Sequence, residues 1–116
     1  MEALVDLVAE RLRLQAGQQV GDIGCGYGAT AQRLAERHGL AVTGVTISAA
    51  QAARGMERTP ARGSVTILAR DWLAGAFPDA CFDRSYAIES SEHMEDKQHF
   101  FTEAFRTLKP GGRLVV

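Results

Sequence analysis

A chain of 116 residues with 46% hydrophobic and 23% charged content is long enough for one domain with its own core, and no low-complexity stretch divides it. Thirteen basic against fourteen acidic residues leave a formal charge of −1, which excludes the basic footprint expected of a nucleic-acid or anionic-lipid binder. No apolar run approaches a membrane span, the Met1-Glu2-Ala3 start is unlike a signal peptide, and Cys25 and Cys81 make neither a disulfide framework nor a metal spacing, so a cytoplasmic chain with free thiols is expected.

The first segment places Leu4, Val5, Val8 and Leu12 on one helical face, and Ala16-Gly17 breaks the pattern. Such a helix either packs on the sheet edge or forms a lid over a ligand. Residues 19–23 read as a buried strand, and 30–38 as a helix closed by Gly39. Residues 40–47 are rich in β-branched side chains and read as a second strand. Ser48 then caps a helix whose alanines and Met56 are expected to face inward. A loop at 59–63 precedes a third strand at 65–69, and a fourth runs over 82–88. Asp96 caps a helix with an apolar stripe of Phe100, Phe101, Ala104, Phe105 and Leu108, which reads as core rather than as an aromatic cage. His38 and His99 read as surface residues. Lys109-Pro110-Gly111-Gly112 is expected to be a tight turn into a fifth strand at 113–116.

Strands alternating with helices predict an α/β fold: a Rossmann-like, doubly wound, mainly parallel sheet with helices on both faces. Ligands of such sheets bind outside the carboxyl ends of the strands. Asp22, Thr46, Asp71 and Glu89 each fall at such an end. The sequence stops within its fifth strand, and a bare strand edge is a liability. The expectation is therefore the N-terminal part of a longer protein or a deliberate truncation, and the bare fifth strand also suggests a homo-oligomer formed by pairing or swapping.

The densest signal is Val20-Gly21-Asp22-Ile23-Gly24-Cys25-Gly26-Tyr27-Gly28. Glycine at every second position after a strand lets a ligand approach the backbone, and the following helix turns free N–H groups toward it. G-x-G-x-G, or G-x-G-x-x-A with Ala29, is by itself also a dinucleotide fingerprint. Two features lean away from a nicotinamide cofactor. A pyrophosphate gains nothing from the negative charge of Asp22, and the second strand ends on Thr46 rather than on an acid for the ribose.

Taken together, the motifs become specific. From residue 20 to the last residue the chain resembles the class I S-adenosylmethionine-dependent methyltransferases. Residues 20–28 resemble that family's first motif. Phe77-Pro78-Asp79-Ala80-Cys81-Phe82-Asp83 resembles the approach to its fourth strand, and Arg106-Thr107-Leu108-Lys109-Pro110-Gly111-Gly112 the segment before its fifth. Five strands are present against the seven of the family fold. Gly44-Val45-Thr46-Ile47-Ser48-Ala49-Ala50-Gln51 and Glu89-Ser90-Ser91-Glu92-His93-Met94-Glu95-Asp96-Lys97 are similar to the small-molecule enzymes of the tocopherol methyltransferase and cyclopropane-fatty-acid-synthase kind.

The resemblance implies S-adenosyl-L-methionine as cofactor, a small-molecule methyl acceptor, and no metal. It implies that Asp22 helps hold the methionine ammonium, and that Gly24, Cys25, Gly26 and Gly28 form the cradle. Thr46 and Gln51 would share the ribose, with Ile47 beside them, and Asp71 and Trp72 would meet the adenine. Glu89, Glu92 and His93 would lie on the acceptor side, Glu89 also near the cofactor. His93 would be the base if the acceptor must lose a proton, and a carboxylate could instead stabilise a cation. Plainer readings stand beside these: Asp22 as a strand-end acid satisfying loop N–H groups, Cys25 as a filler, Trp72 as core, and Glu92 and His93 as loop stitches. Two other classes also stand, a catalytically silent cofactor-binding module and an NAD(P)-dependent oxidoreductase.

Overall fold

Alternation of buried and open positions along short β-branched runs produces strands, and the 3.6-residue spacing between them produces helices. In the computed structural model, which describes residues 2–75, 77–88 and 96–116, these become α1 (Glu2–Leu12), β1 (Gln19–Ile23), α2 (Ala29–His38), β2 (Ala41–Thr46), α3 (Ala49–Gly55), β3 (Ser64–Ala69), β4 (Phe82–Tyr86), α4 (Lys97–Thr107) and β5 (Leu108–Val115). A single 3-10 turn, Trp72–Ala74, follows β3. The sheet order is β3-β2-β1-β4-β5, and each neighbouring pair is parallel. The Rossmann-like doubly wound sheet expected from the sequence is the fold observed.

Parallel strands buried on both faces need cover on both. On one face Val5, Val8 and Leu12 of α1, Leu34 and Ala35 of α2 and Ala52 of α3 close over Val20, Val42, Val65, Ile67 and Tyr86. On the other, Phe100 and Ala104 of α4 close over Ile23, Val45, Phe82 and Trp72. The helix α1 therefore packs on the sheet and is not a lid. It is tied to β4 by Arg84, whose Nε donates to the Leu12 carbonyl at 2.6 Å, and to α2 by an Arg37–Asp6 ion pair.

Several sequence expectations need correction at element edges. Leu4 is 38% exposed, because the buried stripe of α1 runs through Val5, Val8 and Leu12 and leaves Leu4 beside it. Met56 ends α3 half-exposed, although its sulfur accepts from the Ile67 N–H at 3.1 Å. Phe105 is 63% exposed, since α4 buries Phe100, Glu103, Ala104 and Thr107. The 109–112 segment is not a turn before a strand. It belongs to β5, where Leu108 pairs with Phe82 and Arg113 with Arg84, so that the intervening residues bulge from the ladder.

The first cradle loop, α3 and β3 meet at one crowded point. A Cβ on Gly55 would lie 2.7 Å from the Tyr27 carbonyl oxygen and 2.4 Å from the Ile67 Cδ1. Alanine normally gains about 1 kcal/mol over glycine in a helix, but overpacking against a fixed backbone oxygen costs roughly 1–3 kcal/mol. Gly55→Ala is therefore expected to lower the urea midpoint with an unchanged slope. A midpoint raised by the substitution would show that the loop is free to retreat.

Candidate functional site at the carboxyl rim of the sheet

The central strand β1 delivers Asp22 to the rim one residue before its end. Its neighbours there are Gly44 on β2 and Tyr86 on β4. The carboxyl group is buried, with 4% of the residue exposed, and its Oδ2 accepts a hydrogen bond from the Tyr86 hydroxyl at 2.6 Å. Burial pushes the Asp22 pKa up to about 7, and the Tyr86 bond opposes that rise without overcoming it. Tyr86 is itself wholly buried, and its own pKa is driven well above the usual phenol value by that burial and by the carboxylate. Nothing in the sequence reading singled out Tyr86. An aromatic at the inner end of β4 looks like ordinary core until the strand register sets it opposite an acid.

The loop that follows β1 is stapled to β2. The N–H groups of Gly24 and Cys25 both donate to the Val45 carbonyl, at 2.8 and 2.9 Å. Cys25 fills the space that Gly44 vacates: a Cβ on Gly44 would lie 2.7 Å from its sulfur. Its thiol is pushed up to about 12 by burial and by Asp22, so it is no thiolate nucleophile at neutral pH. Gly26 has φ +56, and a Cβ built there meets no protein atom within 4 Å. That open space is the one a ligand can occupy. Gly28, at φ +82, is the N-cap of α2 with no side-chain cap, so the first-turn N–H groups of α2 are available to an acceptor on the loop.

Across the rim, Thr46 closes β2 and is brought together with Gln51 on α3. The Thr46 hydroxyl donates to the Gln51 Oε1 at 2.9 Å and accepts from the Ser48 N–H at 3.2 Å. Ser48 caps α3 as expected, accepting from the Gln51 N–H at 3.2 Å. The pair presents a hydroxyl and an amide with no net charge, as suits a diol. Ile47 stands between them, 86% exposed. Asp71 lies on the rim beyond β3, exposed, where one carboxylate oxygen caps the 3-10 turn through the Leu73 N–H at 3.0 Å.

Trp72 takes the plainer of its two expected roles. Only 3% of it is exposed, it packs with Ile23, Val45 and Phe100, and its Nε1 donates to the Phe100 carbonyl at 3.3 Å. The ring is held on this core, while Ile47 and Tyr27 are the apolar side chains exposed near the rim. Glu89, Glu92 and His93 lie outside the described residues. Among the described residues no cluster of His, Cys, Asp or Glu could hold a metal ion, and no helix is long and apolar enough to cross a membrane.

The chain as a whole resembles known proteins. The 2-methyl-6-phytyl-1,4-hydroquinone methyltransferase of Synechocystis sp. is 43% identical over 103 residues, spanning 89% of this chain and 32% of that protein. The crystal structure of geranyl diphosphate C-methyltransferase from Streptomyces coelicolor A3(2), in complex with Mg2+, geranyl diphosphate and S-adenosyl-L-homocysteine, superposes with a TM-score of 0.88 at 32% identity, covering 97% of this chain and 44% of that one. The [4+2]-cyclase SpnF superposes with a TM-score of 0.90 at 36% identity, covering 98% and 43%. The chain thus spans about a third to a half of the length of the proteins it matches. Residues 21–116 match the family described as a methyltransferase domain, and the chain belongs to that family.

Proposed function

We propose that this chain binds S-adenosyl-L-methionine on the rim formed by Asp22, the 24–28 loop and the Thr46–Gln51 pair, and that it serves methyl transfer to a small-molecule acceptor. The observation that carries the reading is the convergence on one edge of a buried acid, an open glycine cradle beneath an uncapped helix, and a neutral hydroxyl–amide pair. When bound, the cofactor supplies an electrophilic methyl group on a sulfonium. The residues fit its parts by chemistry. Asp22 matches an ammonium, the N-terminus of α2 a carboxylate, and Thr46 with Gln51 the ribose hydroxyls. Ile47 offers an apolar surface to adenine, and Asp71 an acceptor to its amino group. A dinucleotide pyrophosphate would instead be set against a buried acid.

Within the same reading, His93 serves as base where the acceptor must lose a proton, and Glu89 and Glu92 line the acceptor side. The hydroquinone methyltransferase and the geranyl diphosphate C-methyltransferase, by their names, act on small lipophilic molecules, which supports an acceptor of that size. A cytoplasmic location is consistent with the free thiols of Cys25 and Cys81, a charge of −1 speaks against nucleic acid, and β5 at the sheet edge offers itself to a further strand or a second copy. The likeness to a [4+2]-cyclase favours one second reading, in which the fold binds the cofactor without transferring its methyl group.

Calorimetry separates these readings. S-adenosylhomocysteine is expected to bind in the micromolar range and NADPH not at all; the reverse result would remove the methyltransferase reading. Thr46→Val is expected to weaken S-adenosylhomocysteine roughly tenfold, as loss of one or two polar contacts to the diol implies. An affinity left unchanged by Thr46→Val would take the ribose away from this pair. Methyl transfer by the full-length protein to a quinol or terpenoid panel then distinguishes an enzyme from a silent binder.

A further inference from the structure

We infer that Tyr86 is a positioning residue for cofactor binding, whose hydroxyl fixes the Asp22 carboxylate and sets the pH at which that carboxylate can receive a ligand ammonium. This deepens the cofactor reading above and rests on it. The geometry is specific. Asp22 and Tyr86 are register partners on adjacent parallel strands, both are buried, and the 2.6 Å contact has the length of a charge-assisted O–H···O bond. The bond engages Oδ2, and in the cofactor reading the cation is received by the other carboxylate oxygen.

The surroundings isolate the pair. The thiol of Cys25 faces it from the loop and is neutral across the physiological range. From the same sheet face, α1 contributes Val5, Val8 and Leu12, α2 contributes Ala31, Leu34 and Ala35, α3 contributes Ala52, and β2 contributes Val42, with Gly44 opposite the acid. Among the described residues these elements bring no second charge to the carboxylate, and there its ionisation is set by burial against the Tyr86 hydroxyl. Burial wins, and Asp22 titrates near pH 7.

The sign follows. An ammonium binds the ionised carboxylate, so Asp22 must lose its proton before or during binding. Affinity for S-adenosylhomocysteine is then flat above about pH 7 and falls toward tenfold per pH unit below it. Adenosine, which lacks the ammonium, shows no such dependence. In the ligand-free protein the folded pKa lies above the unfolded value of 3.8, so this group's contribution to stability diminishes as pH rises from about 4 to about 7.

The test combines calorimetry between pH 5.5 and 8.5 with the Asp22 carboxyl 13C resonance of the free protein. Tyr86→Phe removes the donor that, among the described residues, favours the ionised form. The expected result is a higher titration midpoint, S-adenosylhomocysteine binding weakened about fivefold at pH 7, and unchanged adenosine binding. Asp22→Asn is expected to abolish the pH dependence, to raise the melting temperature of the ligand-free protein by more at pH 8 than at pH 5, and to make Tyr86→Phe silent in the double variant. Should Tyr86→Phe fold poorly, 3-fluorotyrosine, a near-isosteric and stronger donor, is expected to lower the midpoint instead. An unshifted midpoint in both replacements, or an equal loss of adenosine binding, would overturn the inference. Wild-type protein that titrates Asp22 near pH 7 yet binds no S-adenosylhomocysteine would overturn the cofactor reading itself, and the positioning role with it.

Discussion

The site depends on a carboxylate held inside the sheet. Ionising a buried acid costs several kcal/mol after relaxation, whereas one hydrogen bond to a charged group returns only about 1.5–3 kcal/mol. Desolvation therefore outweighs the Tyr86 bond, as the raised Asp22 pKa shows. Asp22 is a poor choice for stability and a good one for receiving a cation. In the cofactor reading proposed above, a ligand ammonium would supply the charge that the fold withholds. The central position of β1 makes this workable, because β2 and β4 on either side keep water from the carboxyl group while the rim stays open.

The glycines around that carboxylate divide the space among themselves and are not equivalent. Gly44 makes room for Cys25, while Gly28 and Gly55 both make room for Ile67. These are internal packing demands, and they bind the loop, α3 and β3 into one body. Gly26 alone of the three loop glycines with positive φ is shown to face open space. The motif that reads as a single cradle in the sequence is thus partly scaffold and partly site, and only the scaffold part is visible without a ligand.

The succession of strands and helices, their parallel pairing and the position of the rim were legible in the sequence because periodicity is local, whereas the sheet order came only with the structure. Thr46 and Gln51 were legible as a pair only through the family resemblance, and the structure joins them by a hydrogen bond across five residues. What escaped was anything that depends on register. Tyr86 and Asp22 are 64 residues apart, and only the β1–β4 alignment makes them partners. The bulge in β5 escaped for the same reason, since a Pro-Gly-Gly run reads as a turn unless the pairing on both sides of it is known. Trp72 and Phe105 show the limit of composition as a guide. Trp72, read equally as core or as a rim aromatic, is buried, and Phe105, expected in the core, is exposed.

The two segments flanking β4 carry much of the family likeness, and the structure explains why they occur together. Arg106 on α4 binds the Asp79 carboxylate at 2.5 Å, the Phe77 carbonyl at 2.6 Å and the Glu103 carboxylate at 2.8 Å. Lys109 reaches Asp83 at 3.3 Å, and the other oxygen of Asp83 accepts from the Gln19 N–H at 2.8 Å. Residues 77–83 and 106–113 are therefore two halves of one clamp that locks α4 and β5 to the start of β4 and β1. The clamp sits at the amino ends of those strands, away from the rim where Asp22 and Thr46 lie. Segments selected to hold the sheet together report membership of the family and are silent about the acceptor. The proposed ligand site lies on the opposite edge, at Asp22 and Thr46, so nothing in the clamp bears on what is bound there.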